Sequence, residues 1–177
     1  MNILIYHGSG RYSFRPDTSL NKECQDYYCP DGVAAIRGTI CAYTRIIKAG
    51  KAVGEAFAGR YFNSCGFALL LDDATPWTAP EVASSMDNTT FITPEIPLSE
   101  SVCARAAVEE ASAVSAQIAA TDLFREAVCS ISRKVSLRIG DLLIIPAAEA
   151  FLVKKDCKVN FMSGEESYPF KIFFAAD

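Results

Sequence analysis

The sequence predicts an α+β chain, mostly β, folded as one domain over residues 1–177. Three observations predict it. Half of the residues are apolar and a fifth are charged, enough for a sizeable core in one domain. Most apolar runs are short enough to be core strands. One stretch, residues 121–135, repeats apolar residues at helical spacing and leads into a turn and a strand.

Taken in order, NILIY (2–6) reads as a first strand and His7-Gly8-Ser9-Gly10 as a turn. FRPDTSL (14–20) follows, and residues 21–32 are polar, with Pro30-Asp31-Gly32 as a turn signal. Two strands are expected at 33–36 and 39–47, then a turn at KAGKA (48–52). VGEAFAGRYF (53–62) reads as a short helix weakened by two glycines. SCGFALLL (64–71) is a core strand, closed by Asp72-Asp73 and the segment through Trp77. Residues 78–100 carry several prolines and read as a surface excursion with one strand at 89–93.

Residues 101–118 are rich in alanine, which permits one helix from 101 to 134. Against that, Val102, Ala104, Ala106 and Val108 alternate, as do Val114, Ala116 and Ile118, with Glu109-Glu110 between them. The pattern alone leaves helix and β-hairpin both open. Thr121 or Asp122 then caps a helix, because a short side-chain oxygen accepts from free N–H groups of the first turn. Leu123, Phe124, Ala127, Val128, Ile131 and Val135 form its apolar face. In VSLRIGDLLIIP (135–146), Arg138-Ile139-Gly140-Asp141 is a turn and Leu142-Leu143-Ile144-Ile145 a buried strand ended by Pro146. Residues 151–153, 158–162 and 169–174 are strands, with Ser163-Gly164-Glu165-Glu166 as a hairpin turn.

Bulk properties exclude several classes. A net charge of −4 and pI near 5.1 leave no basic footprint for nucleic acid. No apolar run approaches a membrane span, and MNILIYHGSGRY lacks the features of a signal peptide. A cytoplasmic protein is expected. Cys24, Cys29, Cys41, Cys65, Cys103, Cys129 and Cys157 are scattered and contain no C-x-x-C, so they read as free thiols packed as small hydrophobes. His7 is the single histidine, which excludes any mechanism needing two imidazoles.

The capped helix with VSLRIGDLLIIP resembles the hallmark segment of the fumarylacetoacetate hydrolase family, a helix followed by TLKxGDLL and a Gly-Thr-Pro end whose Gly-Thr is missing here. FRPDTSL is similar to the family's FLKPDTSL, and residues 50–71 to its passage before a core strand. The resemblance spans nearly the whole chain. It implies a mixed β-sandwich or β-roll with a few short helices, usually dimeric, and it places a β-hairpin at 101–118 directly before the capped helix, which is the reading chosen for that stretch. Family members cleave, decarboxylate or isomerise β-diketo and 2-oxo acids with one Mg²⁺, Mn²⁺ or Ca²⁺, held by a Glu-x-Glu pair on one strand and an Asp ending another.

On that resemblance the two glutamates fall on Thr39 and Cys41 and the aspartate on Leu70. Residues 33–52 contain no Asp or Glu, so no small slip of register restores the pair. A shift of two residues would place Asp72 at the third position, although Asp72 and Asp73 also read as polar residues where a strand leaves the core. Pro76-Trp77 matches a family Trp-Glu, without the arginine that precedes it there. A family lysine falls on Ser84, and Asp87 matches a loop-organising aspartate. The lid that carries a His and a Glu in the hydrolases is shortened to residues 7–13. His7 lies near the right place without an acidic neighbour and reads as a solvated turn residue. Cys41 and Cys65 read as buried small residues, since neither has a base to activate it.

No residue is assigned as catalytic, and His7, Asp72, Asp87 and Glu149 are the candidates. The leading expectation is a homodimeric protein that has lost the metal-dependent family activity and serves as a non-catalytic binding or structural subunit. No cofactor is expected, and a small oxo acid is the candidate ligand. A second reading is an enzyme acting on acylpyruvate-like acids through a relocated site of Asp72, Asp73, Asp87 and Glu149. Glu149 enters because it follows the central strand, where the family's loop faces substrate. A third is a structural subunit paired with an active paralogue.

Overall fold

Alternation and length turn the apolar runs into strands of two sheets. The computed structural model describes the whole chain except residues 80–81, 99–102, 109–113, 118–120 and 176–177. The strands begin with β1 (Ile3–Tyr6), β2 (Tyr12–Arg15), β3 (Leu20–Asn21), β4 (Tyr27–Tyr28) and the long β5 (Ile36–Arg45), with a 3-10 turn at Asp17–Ser19. Helix α1 (Glu55–Ala58) precedes β6 (Ser64–Asp73), β7 (Thr90–Ile92) and β8 (Ile96–Pro97). Then come β9 (Cys103–Val108), β10 (Val114–Gln117) and helix α2 (Thr121–Ser132). The chain closes with β11 (Leu142–Pro146), β12 (Phe151–Val153), β13 (Cys157–Ser163) and β14 (Glu166–Phe173).

The larger sheet runs β2-β1-β11-β5-β6-β7-β3, with β12 added on β5 and β8 on β6. The smaller runs β10-β9-β13-β14-β4. Three apolar layers follow from the period-two alternation. Ile36 and Ile40 of β5 with Phe67, Leu69 and Leu71 of β6 face the small sheet, where they meet Ala106, Val159, Phe161 and Phe170. Phe91 stacks on Phe170 across that interface, ring centroids 4.2 Å apart. Farther along the same sheet, Leu4, Leu143 and Ile145 meet Phe124, Ala127, Val128 and Ile131 of α2. The opposite face carries Ile3, Ile5, Cys41, Tyr43, Leu70 and Ile144. The central strands are thus buried on both faces, which is why they read as continuous apolar runs. The result is a mostly β α+β fold. No helix among the described residues is long and apolar enough to cross a membrane.

Several expectations shift. The two strands expected at 33–36 and 39–47 are one, β5, with residues 33–35 outside it. Gly38 does not break it, because the Phe151 ring of β12 lies where a Cβ would stand, 2.1 Å from it. The expected helix at 53–62 is a single turn, bounded by Gly54 and Gly59. Helix α2 ends at Ser132, although Val135 N–H still bonds Ile131 O at 2.9 Å. Leu123 is 44% exposed and leaves the apolar face. Thr121 and Asp122, expected as the cap, lie within the first turn of α2; the residue before Thr121 and the tip of the 101–118 hairpin lie outside the described residues. The hairpin itself is present as β9 paired with β10, which excludes the long helix.

Candidate functional site

Strands β5 and β6 run antiparallel in a register that sets Arg37 opposite Asp72, Thr39 opposite Leu70 and Cys41 opposite Ala68. Alternation sends Arg37, Thr39 and Cys41 to one face of β5, and Asp72 and Leu70 to the same face of β6. The β1–β2 hairpin brings His7, Ser13, Phe14 and Arg15 alongside, and the loop after β11 adds Pro146, Ala148 and Ala150. Ala83 and Ser84 complete a cavity of about 690 Å³. The sequence-derived positions Thr39, Leu70, Asp72, Ser84 and His7 therefore converge on one space.

The charged centre of this cavity is an ion-pair group. The Arg15 side chain is 2% exposed and pairs with the Asp72 carboxylate, whose side chain is 15% exposed. Arg15 also donates to Leu71 O at 3.1 Å, Thr89 Oγ1 at 3.1 Å and Thr89 O at 3.3 Å. Burial lowers the pKa of its guanidinium, and the Asp72 carboxylate opposes that shift. An arginine stays charged in proteins, so the buried cation persists because it is paired and hydrogen-bonded through both terminal nitrogens. Arg37 reaches the other Asp72 oxygen at 3.4 Å from a side chain that is 51% exposed. Asp72 is therefore a counter-ion held by the buried Arg15 and touched more loosely by Arg37, rather than the strand-end polar residue expected from sequence.

The other candidates lie elsewhere. Asp73 points away from the cavity, accepting from Thr75 N–H at 2.8 Å and Thr78 Oγ1 at 2.6 Å. Burial pushes its carboxyl up, but these hydrogen bonds prevail and hold it below the usual range. Asp87 and Glu149 are exposed and do not line the cavity, although Ala148 and Ala150 on either side of Glu149 do. His7 is exposed at the rim, its Nε2 2.8 Å from Ser13 Oγ. Cys41 is fully buried beneath Thr39, and burial pushes its thiol far above the ordinary range, opposed by Arg15. Cys65 is buried as well. A second cleft of about 470 Å³ beside α2 is lined by mixed charges, including Glu55, Arg125 and Glu126, and contains none of these candidates.

This donor set does not fit a hard divalent cation, which takes several carboxylate oxygens. Thr39 is neutral, Leu70 has no donor atom, the Cys41 thiol is buried and protonated, and both Asp72 oxygens face guanidinium groups. Among the described residues no group of three or more His, Cys, Asp and Glu side chains stands together. Sequence reasoning missed Arg15 and Arg37 as site residues. Their signal was present: Arg15 stands where FLKPDTSL has its lysine, and Arg37 precedes Thr39 by two residues on one strand face.

Compared by sequence, the chain matches no family model and no curated protein. Compared by structure, it is similar to a protein assigned to the fumarylacetoacetate hydrolase family from Yersinia pestis CO92. The two share 17% identity at a TM-score of 0.74, over 97% of this chain and 91% of that one. It is similar to a fumarylpyruvate hydrolase from Pseudomonas aeruginosa in complex with Mn²⁺ and pyruvate, at 16% identity, a TM-score of 0.73, and 93% and 79% coverage. It also matches a 5-carboxymethyl-2-hydroxymuconate delta-isomerase from Mycobacterium smegmatis, at 12% identity, a TM-score of 0.77, and 99% and 80% coverage. The chain has the fumarylacetoacetate hydrolase-like fold.

Proposed function

We propose that this chain is a fumarylacetoacetate hydrolase-fold protein without the family's metal-dependent activity, serving as a non-catalytic binding subunit. One observation carries the reading. The positions onto which the family's three carboxylates map are Thr39, Cys41 and Leu70, on the same faces of paired strands, and among the described residues the only carboxylate lining the cavity, Asp72, is engaged by two arginines. The Pseudomonas aeruginosa neighbour holds Mn²⁺ and pyruvate. Here guanidinium groups stand in the cavity instead. A positive charge that is part of the fold can attract an anion, but it cannot chelate an enolate as a divalent ion does.

In this reading the chain works as a homodimer or beside a longer paralogous subunit in the cytoplasm. The test is turnover. Purified protein supplied with Mg²⁺ or Mn²⁺ is expected to leave acylpyruvates and oxaloacetate at their uncatalysed rates. Metal-stimulated turnover that Asp72→Ala abolishes would establish the enzyme reading in its place.

A further inference from the structure

We propose that Arg37 is the recognition residue of a site for a small monocarboxylate with an apolar tail, and that Asp72 occupies the ligand's place on Arg37 until one binds. The proposal rests on the non-catalytic reading above and names the ligand class of the same cavity.

The two arginines differ in what they can still do. Arg15 is buried and spends its donors on backbone carbonyls, threonine hydroxyls and Asp72. It is a fixed part of the fold. Arg37 is half exposed and makes a long hydrogen bond of 3.4 Å to Asp72 Oδ2. A guanidinium has five N–H donors in a planar fork that matches a carboxylate in two parallel bonds. A single long contact leaves most of that capacity open, and an exposed ion pair of this kind is worth little. An incoming carboxylate can therefore take Arg37, while Asp72 keeps its pairing with Arg15.

Charge and shape narrow the ligand. Among the described residues, two guanidinium groups and one carboxylate leave one positive charge in the cavity, which one carboxylate neutralises and two would overcompensate. Ile5, Phe14, Leu70, Ala83, Pro146 and Ala148 supply apolar walls. The volume of about 690 Å³ lies in the range of small-molecule sites. A cation beside such walls selects an acid with a short aryl or alkyl tail.

The test is calorimetric titration of the full chain in EDTA with phenylacetate, and with phenylacetamide, acetate and oxaloacetate as comparisons. Phenylacetate is expected to bind at one site per chain, with the uncharged amide and the tailless acetate each at least tenfold weaker. Arg37→Gln should weaken phenylacetate at least tenfold, and Arg37→Lys, which keeps the charge and loses the fork, by an intermediate factor. The thermal midpoint of both variants checks that this exposed position leaves the fold intact. Equal affinity for the amide, unchanged affinity in Arg37→Gln, or tighter binding of oxaloacetate would overturn the proposal. Absence of phenylacetate binding in a protein that also binds no divalent ion would remove this proposal and leave the non-catalytic reading standing. Binding that appears only with Mn²⁺ would overturn both.

Discussion

At the scale of single residues, carboxylates with similar sequence settings have separate fates. Asp72 and Asp73 are neighbours at the end of β6, and strand alternation sends them to opposite faces. Asp72 meets two arginines and becomes part of the cavity's charge. Asp73 meets Thr75 and Thr78 and ties down the turn that leaves the strand. Its carboxyl is held below its ordinary value of 3.8, so the folded state binds its proton less readily than the unfolded chain. The stability it contributes is therefore present above that ordinary value and is lost as pH falls through the folded one. Asp73→Asn should destabilise the protein at pH 7 in urea unfolding, and the gap to the parent should narrow as the pH falls below about 4. A gap independent of pH would mean that the charge on Asp73 contributes nothing. Thiols follow similar local rules: burial lifts Cys24 to about 11 and Cys29 to about 12, which leaves them protonated and unreactive at neutral pH.

At the scale of elements, the segment from α2 through β11 shows how a motif can survive while chemistry beside it changes. Phe124, Ala127, Val128 and Ile131 are fully buried, and their spacing makes the stripe that packs on β1 and β11. The turn that follows has its Asp141 N–H bonded to Arg138 O at 3.1 Å and Gly140 at φ +91, the arrangement of a type II turn. Asp141 is fully buried. Its carboxylate accepts from Asn2 N–H at 2.7 Å, Arg138 N–H at 2.9 Å and Asn2 Nδ2 at 3.2 Å. One aspartate thus fixes the turn and anchors the start of β1, whose strand pairs in parallel with β11 from Ile3 opposite Leu142. Asp141→Ala should cost about 3 kcal/mol in urea unfolding, because hydrogen bonds to charged groups are worth about 1.5–3 kcal/mol and their partners would be left buried. A loss below about 1 kcal/mol would show that Asn2 and Arg138 find other acceptors. The Gly-Asp of this motif is thus accounted for by backbone geometry, without any role in the cavity.

At the scale of the whole molecule, legibility followed the physics of each signal. Strands buried on both faces, such as β6 and β11, stand out as apolar runs, and α2 stands out by its period. Short strands such as β4 and β8 lie in polar or proline-containing stretches and exist because a neighbouring strand supplies their hydrogen bonds, which no local pattern records. Of the site, the positions Thr39, Leu70, Asp72 and Ser84 were legible because the resemblance carries a register along β5 and β6. The arginines were passed over, because a charge on a strand reads as a solvated residue until tertiary contacts pair it, even though Arg15 stands at the place of the lysine in FLKPDTSL. Arg15 comes from β2, which β1, β11 and β5 separate from the β6 strand of Asp72 in the sheet, so no local pattern brings the two together.

The fumarylacetoacetate hydrolase-like fold here surrounds a cavity whose cations are the Arg15 and Arg37 side chains. Calorimetric titration of the metal-free protein with Mn²⁺ shows whether a metal ion can take their place. No saturable binding at one ion per chain is expected, since Thr39, Cys41 and Leu70 offer no carboxylate and Asp72 is engaged by Arg15 and Arg37. One tightly bound Mn²⁺ per chain, lost in Asp72→Ala, would contradict it.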